Sequence, residues 1–225
     1  MAIVHIDPTT VDRTVLPAIG LEASRKGADR AELAELAAQC RGCDLWERAT
    51  QTVFGEGPAT APIVLVGEQP GDQEDRLGHP FVGPAGRVLD EALGAAGIDR
   101  EKAFVTNVVK HFKWKPTPGG KRRLHERPNA AEVRACRPWL ESELQLVGPN
   151  AVVLLGATAA QALLGPDVRV SETAGRLIQS DLASMVVATI HPSAVLRAGD
   201  PEGSERTYRF LVEDLRRVQI GRAHV

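Results

Sequence analysis

The chain has 225 residues, enough for one α/β domain with a sizeable core, and its 43% hydrophobic and 25% charged content is ordinary for a globular protein. No apolar run approaches the ~20 residues of a membrane span. The start, MAIVHIDPTT, lacks the basic and apolar regions of a secretory signal, so a cytoplasmic protein is expected. A net charge of −2 gives no global nucleic-acid signature, and an odd cysteine count (Cys40, Cys43, Cys136) argues against a disulfide framework.

Residues 1–28 are rich in turn formers without sustained periodicity and read as an N-terminal extension. Ala28–Gln39 has a helical apolar pattern and leads into Cys40-Arg41-Gly42-Cys43, a CxxC pair suited to a metal, a cluster or a redox dithiol. Ile63–Val66, Phe104–Val109, Ala151–Leu155 and Met185–Ile190 are near-continuous apolar runs, the pattern of parallel strands covered on both faces. Helical patterns fall near Ala85–Ala96, Ala130–Val147, Thr158–Leu164 and Arg206–Val218. Alternating strands and helices predict a three-layer α/β/α sandwich around a central four-stranded parallel sheet. The main domain spans 29–220, with 221–225 a C-terminal tail.

In such a fold the site forms at the carboxyl ends of the strands. The first strand ends in Gly67-Glu68-Gln69-Pro70-Gly71-Asp72, which combines turn glycines with a carboxylate. The second leads through Asn107 to Lys110 and His111, and the fourth to His191-Pro192-Ser193. Together they place a carboxylate, an amide and an imidazole around one crevice. An asparagine amide matches a pyrimidine edge, an imidazole stabilises a departing base, and a carboxylate steadies a cationic sugar. Phe81, in the loop after the first strand, completes the set as a stacking surface. Seven basic residues between Lys110 and Arg127, against the single acid Glu126, form a local run that suits phosphate or a solvated loop.

The segments GEQPGDQED (67–75), PFVGPAGRVLD (80–90), TNVVKH (106–111) and HPSAVLR (191–197) resemble the uracil-DNA glycosylase superfamily, in particular its iron–sulfur branch that includes family four. Within that branch, KRRLHERP (121–128) is similar to the histidine-bearing loop of the UdgX subgroup, which cross-links itself to uracil-DNA. The resemblance runs from about Glu32 to Val218. It implies that Phe81 stacks on a flipped uracil, Asn107 reads its edge, Gln69 adds contacts mainly through its backbone, and His191 stabilises the departing base. Glu68 takes the position of the catalytic acidic residue. Ser193 and the Gly83–Gly86 turn are expected to touch phosphates, and Leu196 and Arg197 to enter the DNA. Because flipping costs less from a single strand, single-stranded substrate is expected to be preferred. A monomer is expected.

Family-four enzymes hold a [4Fe–4S] cluster on four cysteines. By resemblance Cys40, Cys43 and Cys136 match three of them, and His111 stands where the missing one would fall. Histidine replaces cysteine on iron in some clusters. Judged by chemistry alone, the same four residues also fit zinc.

His125 lies in a Pro- and Gly-rich segment, 114–128, read as irregular, with Lys121, Arg122, Arg123 and Arg127 placed to grip phosphates. Neutral imidazole is a capable nucleophile near pH 7. The resemblance implies that His125 captures the sugar cation after uracil leaves, a single turnover ending in a covalent adduct, with Glu68 assisting. The alternatives are a conventional multi-turnover uracil-DNA glycosylase and a cluster-bearing nucleic-acid-binding protein without base chemistry.

Overall fold

The computed structural model describes residues 12–120 and 122–222, the last four of these by backbone alone. It opens with α1 (Leu16–Arg25) and α2 (Arg30–Ala38), followed after the CxxC by β1 (Ile63–Gly67), α3 (Asp72–Leu77) and α4 (Pro84–Ala96). Next come β2 (Ala103–Asn107), the short strands β3 (Trp114–Pro116) and β4 (Arg123–His125), and the long α5 (Ala130–Val147). The C-terminal half holds β5 (Ala151–Leu155), α6 (Ala157–Leu164), α7 (Val170–Thr173), β6 (Leu177–Ile178), β7 (Met185–Thr189), α8 (Ser193–Leu196) and α9 (Pro201–Arg222).

The main sheet has the order β2-β1-β5-β7-β6. Its first four strands are parallel, as their apolar sequences require, and every residue in them is buried. The fifth, β6, is a two-residue antiparallel edge strand, too short to leave a periodic signal in the sequence. Two apolar layers follow from strand alternation. Val64, Val66, Phe104, Val152 and Leu154 pack under α1, α2 and α5, while Ile63, Leu65, Val105, Val153 and Val187 pack under α4 and α9. The expected three-layer sandwich is therefore present, with one edge strand more than predicted.

Two expectations need correction. Residues 12–28 are not a bare extension: α1 lies along α5 and inserts Leu16, fully buried, into the core. Burial of one leucine is worth about 2 kcal/mol. Residues 1–11, and 223–225 of the expected tail, lie outside the described residues, and α9 continues past the boundary expected at 220. Second, the segment 114–128 is not irregular. Trp114 to Pro116 pair with His125 to Arg123 in an antiparallel hairpin, Pro116 ending the first strand, Pro118, Gly119 and Gly120 falling in the turn, and Pro128 following the second strand.

Helix boundaries follow local chemistry. Asn129 starts α5 with a capping box: its side chain accepts from the backbone N–H groups of Ala131 and Glu132, and Glu132 accepts in return from Asn129 N–H at 2.6 Å. Among the described residues no helix is long and apolar enough to cross a membrane.

Candidate functional site

The carboxyl ends of β1 and β2 lie side by side, with Gly67 in register with Asn107. A Cβ on Gly67 would fall 2.4 Å from Asn107 Oδ1 and 2.6 Å from Phe81 Cζ, so only glycine lets the amide and the ring approach each other there. Asn107 is buried at 3% exposure and Phe81 at 7%. Phe81 has φ 57°, a left-handed conformation that costs a non-glycine residue about 1–3 kcal/mol and is found mainly at functional sites. Gly86 accommodates it, because a Cβ there would stand 1.7 Å from the Phe81 carbonyl oxygen. Gly83, expected to touch phosphate, instead donates its N–H to Glu74 Oε1 at 2.7 Å. The glycine turn thus supports the phenylalanine.

His191 follows β7 and faces Phe81, ring centroids 6.2 Å apart and planes 27° from parallel. Ser193 N–H donates to His191 Nδ1 at 3.2 Å, which makes Nδ1 the acceptor and leaves the ring proton on Nε2. Burial and then the positive charges of Arg197 and His125 push the ring's pKa down to about 4, so it is neutral at pH 7. A neutral ring with Nε2–H is a donor for a developing anion. Ser193, expected on a phosphate, and Arg197, expected to enter the DNA, are engaged with this histidine: Ser193 Oγ lies 2.7 Å from Nδ1 and accepts from Arg197 Nη1 at 2.7 Å. Leu196 stands exposed at the end of α8.

Glu68 follows β1, and its two oxygens have different partners. Oε2 accepts from the Thr158 hydroxyl. Oε1 lies 3.5 Å from His125 Nε2. Arg127 Nε is 3.8 Å from Oε2 and donates to Thr158 Oγ1 at 3.1 Å. The pKa of His125 is lowered: the protein around the ring disfavours its charged form, and Arg197 adds to this, more than the Glu68 carboxylate favours it. About half of the side chain is still open to solvent. Thr158 was not anticipated. It sits in Gly156-Ala157-Thr158-Ala159, which reads in sequence as an ordinary helix start.

The hairpin that carries His125 is held from two sides. Gln69, buried at 6%, donates from Nε2 to the carbonyls of Lys113 and Glu126, both at 3.1 Å, and its Oε1 accepts from Lys113 N–H at 3.2 Å. Its side chain is a strut between the first loop and the hairpin, which leaves its backbone as the part able to meet a base. On the other side Arg123 is not a phosphate gripper. It pairs with Asp72 and with Asp75 (2.5 Å), bonds Thr50 Oγ1 at 3.2 Å, and lies over the rings of Phe112 and Trp114.

Other members of the basic run are also engaged. Lys110 is fully buried, its ammonium 2.6 Å from Glu143 Oε2 and 2.6 Å from the Asn107 carbonyl. Lys113 pairs with Glu132 at 3.0 Å. Arg122 remains exposed, and Lys121 lies outside the described residues.

Cys40, Cys43, His111 and Cys136 line one pocket beside α2 and α5, together with Thr52, Lys110 and Trp139. The three thiols are free. Cys136 Sγ accepts from Lys110 N–H at 3.2 Å and Cys40 Sγ from Gly42 N–H at 3.4 Å, bonds that favour sulfur carrying negative charge. Burial pushes the Cys136 thiol up to about 12, with Lys110 opposing, and also raises Cys43. A free thiolate is thus costly there, and a metal-bound one is not. Thr52 donates its hydroxyl to the Ala37 carbonyl at 3.1 Å and so accepts from His111 Nε2–H at 2.9 Å, which leaves Nδ1 bare as a ligand. Burial, then Arg41, lowers the His111 pKa to about 4, which also keeps it neutral.

Trp139 Nε1–H is buried and lacks a hydrogen-bond partner among the described residues, a donor that a cluster sulfide or thiolate can satisfy. No group of three or more His, Cys, Asp or Glu among the described residues is arranged to hold a single metal ion. The donor set fits an iron–sulfur cluster.

Residues 54–216 match the family model for the uracil DNA glycosylase superfamily. Among curated proteins, the chain is 35% identical over 195 residues to a type-4 uracil-DNA glycosylase of Thermotoga maritima, an alignment covering 84% of this chain and 95% of that one. It is 38% identical over 176 residues to the type-4 uracil-DNA glycosylase of Pyrobaculum aerophilum, covering 75% and 85%. A third, from Archaeoglobus fulgidus, is 37% identical over 164 residues, covering 70% and 78%.

Proposed function

The chain belongs to the uracil DNA glycosylase superfamily, and we propose that it excises uracil from DNA and then joins the abasic sugar to itself through His125. Uracil stacks on Phe81 and is read by Asn107. The C1′–N1 bond breaks with its electron pair going to uracil, whose anion accepts a hydrogen bond from His191 Nε2–H. The Glu68 carboxylate steadies the sugar cation. The His125 Nε2 lone pair closes on C1′, and the resulting imidazolium loses its Nδ1 proton to solvent. No group then hydrolyses the C1′–N bond, so each molecule turns over once.

The observation that carries this reading is the 3.5 Å separation of His125 Nε2 from Glu68 Oε1, beside the pocket of Phe81, Asn107 and His191. A nucleophilic nitrogen held against the carboxylate that faces the cation reacts at a high effective concentration. The substrate is uracil-containing DNA, single strands preferred, with Arg122, Lys121 and Leu196 proposed to meet the strand. Cys40, Cys43, His111 and Cys136 would hold a [4Fe–4S] cluster, which serves as a structural cross-link between the N-terminal helices, α5 and the end of β2.

The relatives are named as type-4 uracil-DNA glycosylases, and a second reading for this chain is a conventional multi-turnover glycosylase. One experiment separates the two. Protein is mixed with a uracil-containing oligonucleotide, free uracil is quantified, and the mixture is run on a denaturing gel. One uracil released per protein with an equal yield of heat- and detergent-stable adduct supports covalent capture. Uracil in excess over protein with no adduct supports the second reading.

A further inference from the structure

We propose that Thr158 is a positioning residue for Glu68: its hydroxyl pins one carboxylate oxygen and thereby directs the other at His125 and the sugar. This rests on the reading above for what Glu68 does.

The direction of each hydrogen bond follows from the inventory of donors. Arginine Nε can only donate, so the 3.1 Å contact from Arg127 Nε occupies a lone pair of Thr158 Oγ1. The hydroxyl has one proton, and that proton is left for Glu68 Oε2. Arg127 is held in turn to the same helix as Thr158, its Nη2 donating to Gln161 Oε1 at 3.0 Å. Arg127 is more than half exposed, so its charge is screened, and its main effect is to orient the hydroxyl.

Thr158 is itself fixed, at 6% exposure in the first turn of α6. A carboxylate with both oxygens free rotates about its last bond. Here Oε2 is committed and Oε1 is left facing His125 Nε2 at 3.5 Å. The end of β5 thus supplies a group to the crevice, as do the ends of β1, β2 and β7.

Thr158→Val keeps the shape and removes the hydroxyl, and Thr158→Ser keeps the hydroxyl. Single-turnover kinetics with the cluster-loaded protein in excess over a uracil oligonucleotide would follow uracil release and adduct yield, with the visible cluster absorbance and melting temperature as controls on folding. A hydrogen bond to a charged group is worth enough that Thr158→Val should slow uracil release about tenfold or more. It should also lower the share of released uracil that ends as adduct, while the dissociation constant for the DNA is unchanged. Thr158→Ser should restore rate and share to near wild-type. Release at the wild-type rate in a folded, cluster-loaded Thr158→Val protein would overturn the proposal, as would a Thr158→Ser variant as slow as Thr158→Val. If wild-type protein forms no adduct, covalent capture fails, and the uracil-release rates still decide the role of Thr158. Should Thr158→Val not fold, Thr158→Ser together with Arg127→Gln supplies the reading: the former near wild-type, the latter slowed a few-fold with unchanged DNA affinity, and an unslowed Arg127→Gln would overturn it.

Discussion

Arg123 Nη1 lies 2.5 Å from Oδ2 of Asp75, a carboxylate with no exposed surface, and this pair joins the hairpin bearing His125 to the helix that follows the first site loop. The same guanidinium also reaches Asp72 and Thr50. An arginine that looks in sequence like a phosphate ligand is therefore an anchor for the nucleophile's strand.

Arg123→Met should leave Asp75 buried without its charge partner, only the Thr50 N–H and hydroxyl still bonding it, at a cost of about 3 kcal/mol, and loosen β4. Denaturant melts check the first effect. The second predicts that adduct formation falls by a larger factor than uracil release, because Phe81, Asn107 and His191 are on other elements. Equal losses in both would show that the hairpin anchor has no specific part in capture.

His125→Ala should abolish the adduct while allowing water to reach the sugar. Uracil release should then exceed one per protein, and the DNA should become alkali-labile. Steady-state uracil assays read this directly. An adduct of unchanged yield would place the attachment elsewhere.

The pH dependence follows from the sign of the His125 shift. Its pKa lies below the ordinary 6.5, and the nucleophile is the neutral ring, so the reactive form predominates at pH 7 and above and is lost as the pH falls into the acid range. The charged and titratable neighbours are Glu68, Arg127, Arg197 and His191, of which His191 is already neutral down to about pH 4. Adduct formation should level off above neutral pH and fall in acid, with a midpoint below 6.5. A midpoint above 7 would contradict a neutral His125 in the free protein.

Cys136→Ser should lower iron content and bleach the visible absorbance. Because Cys136 is buried against Lys110 and the end of β2, it should also lower the melting temperature. Iron analysis and a thermal melt check both. His111→Cys should retain the cluster with an altered spectrum, and an identical spectrum would remove His111 from the ligand set.

Much of this site is readable from sequence because polar residues interrupt or directly follow the apolar runs at Glu68, Asn107 and His191. A parallel sheet gathers those ends whatever the intervening chain does. What sequence conceals is partnership across the fold. Lys110 and Arg123 belong to a basic run, and the acids that neutralise them, Glu143, Asp72 and Asp75, are 33 to 51 residues away along the chain. Thr158 is invisible for a related reason: a threonine in an alanine-rich helix start has no chemistry until Glu68, 90 residues earlier, is folded against it. The hairpin at 114–125 escapes notice because three-residue strands are too short for alternation to register.

Whether the His125 imidazole accepts the sugar is read out by proteolysis and mass spectrometry of the adduct formed with a uracil oligonucleotide. Capture by His125 predicts an abasic deoxyribose remnant on the peptide containing His125, with fragment ions that localise it to the imidazole. A remnant on any other residue, or intact uracil retained in the adduct, would contradict it.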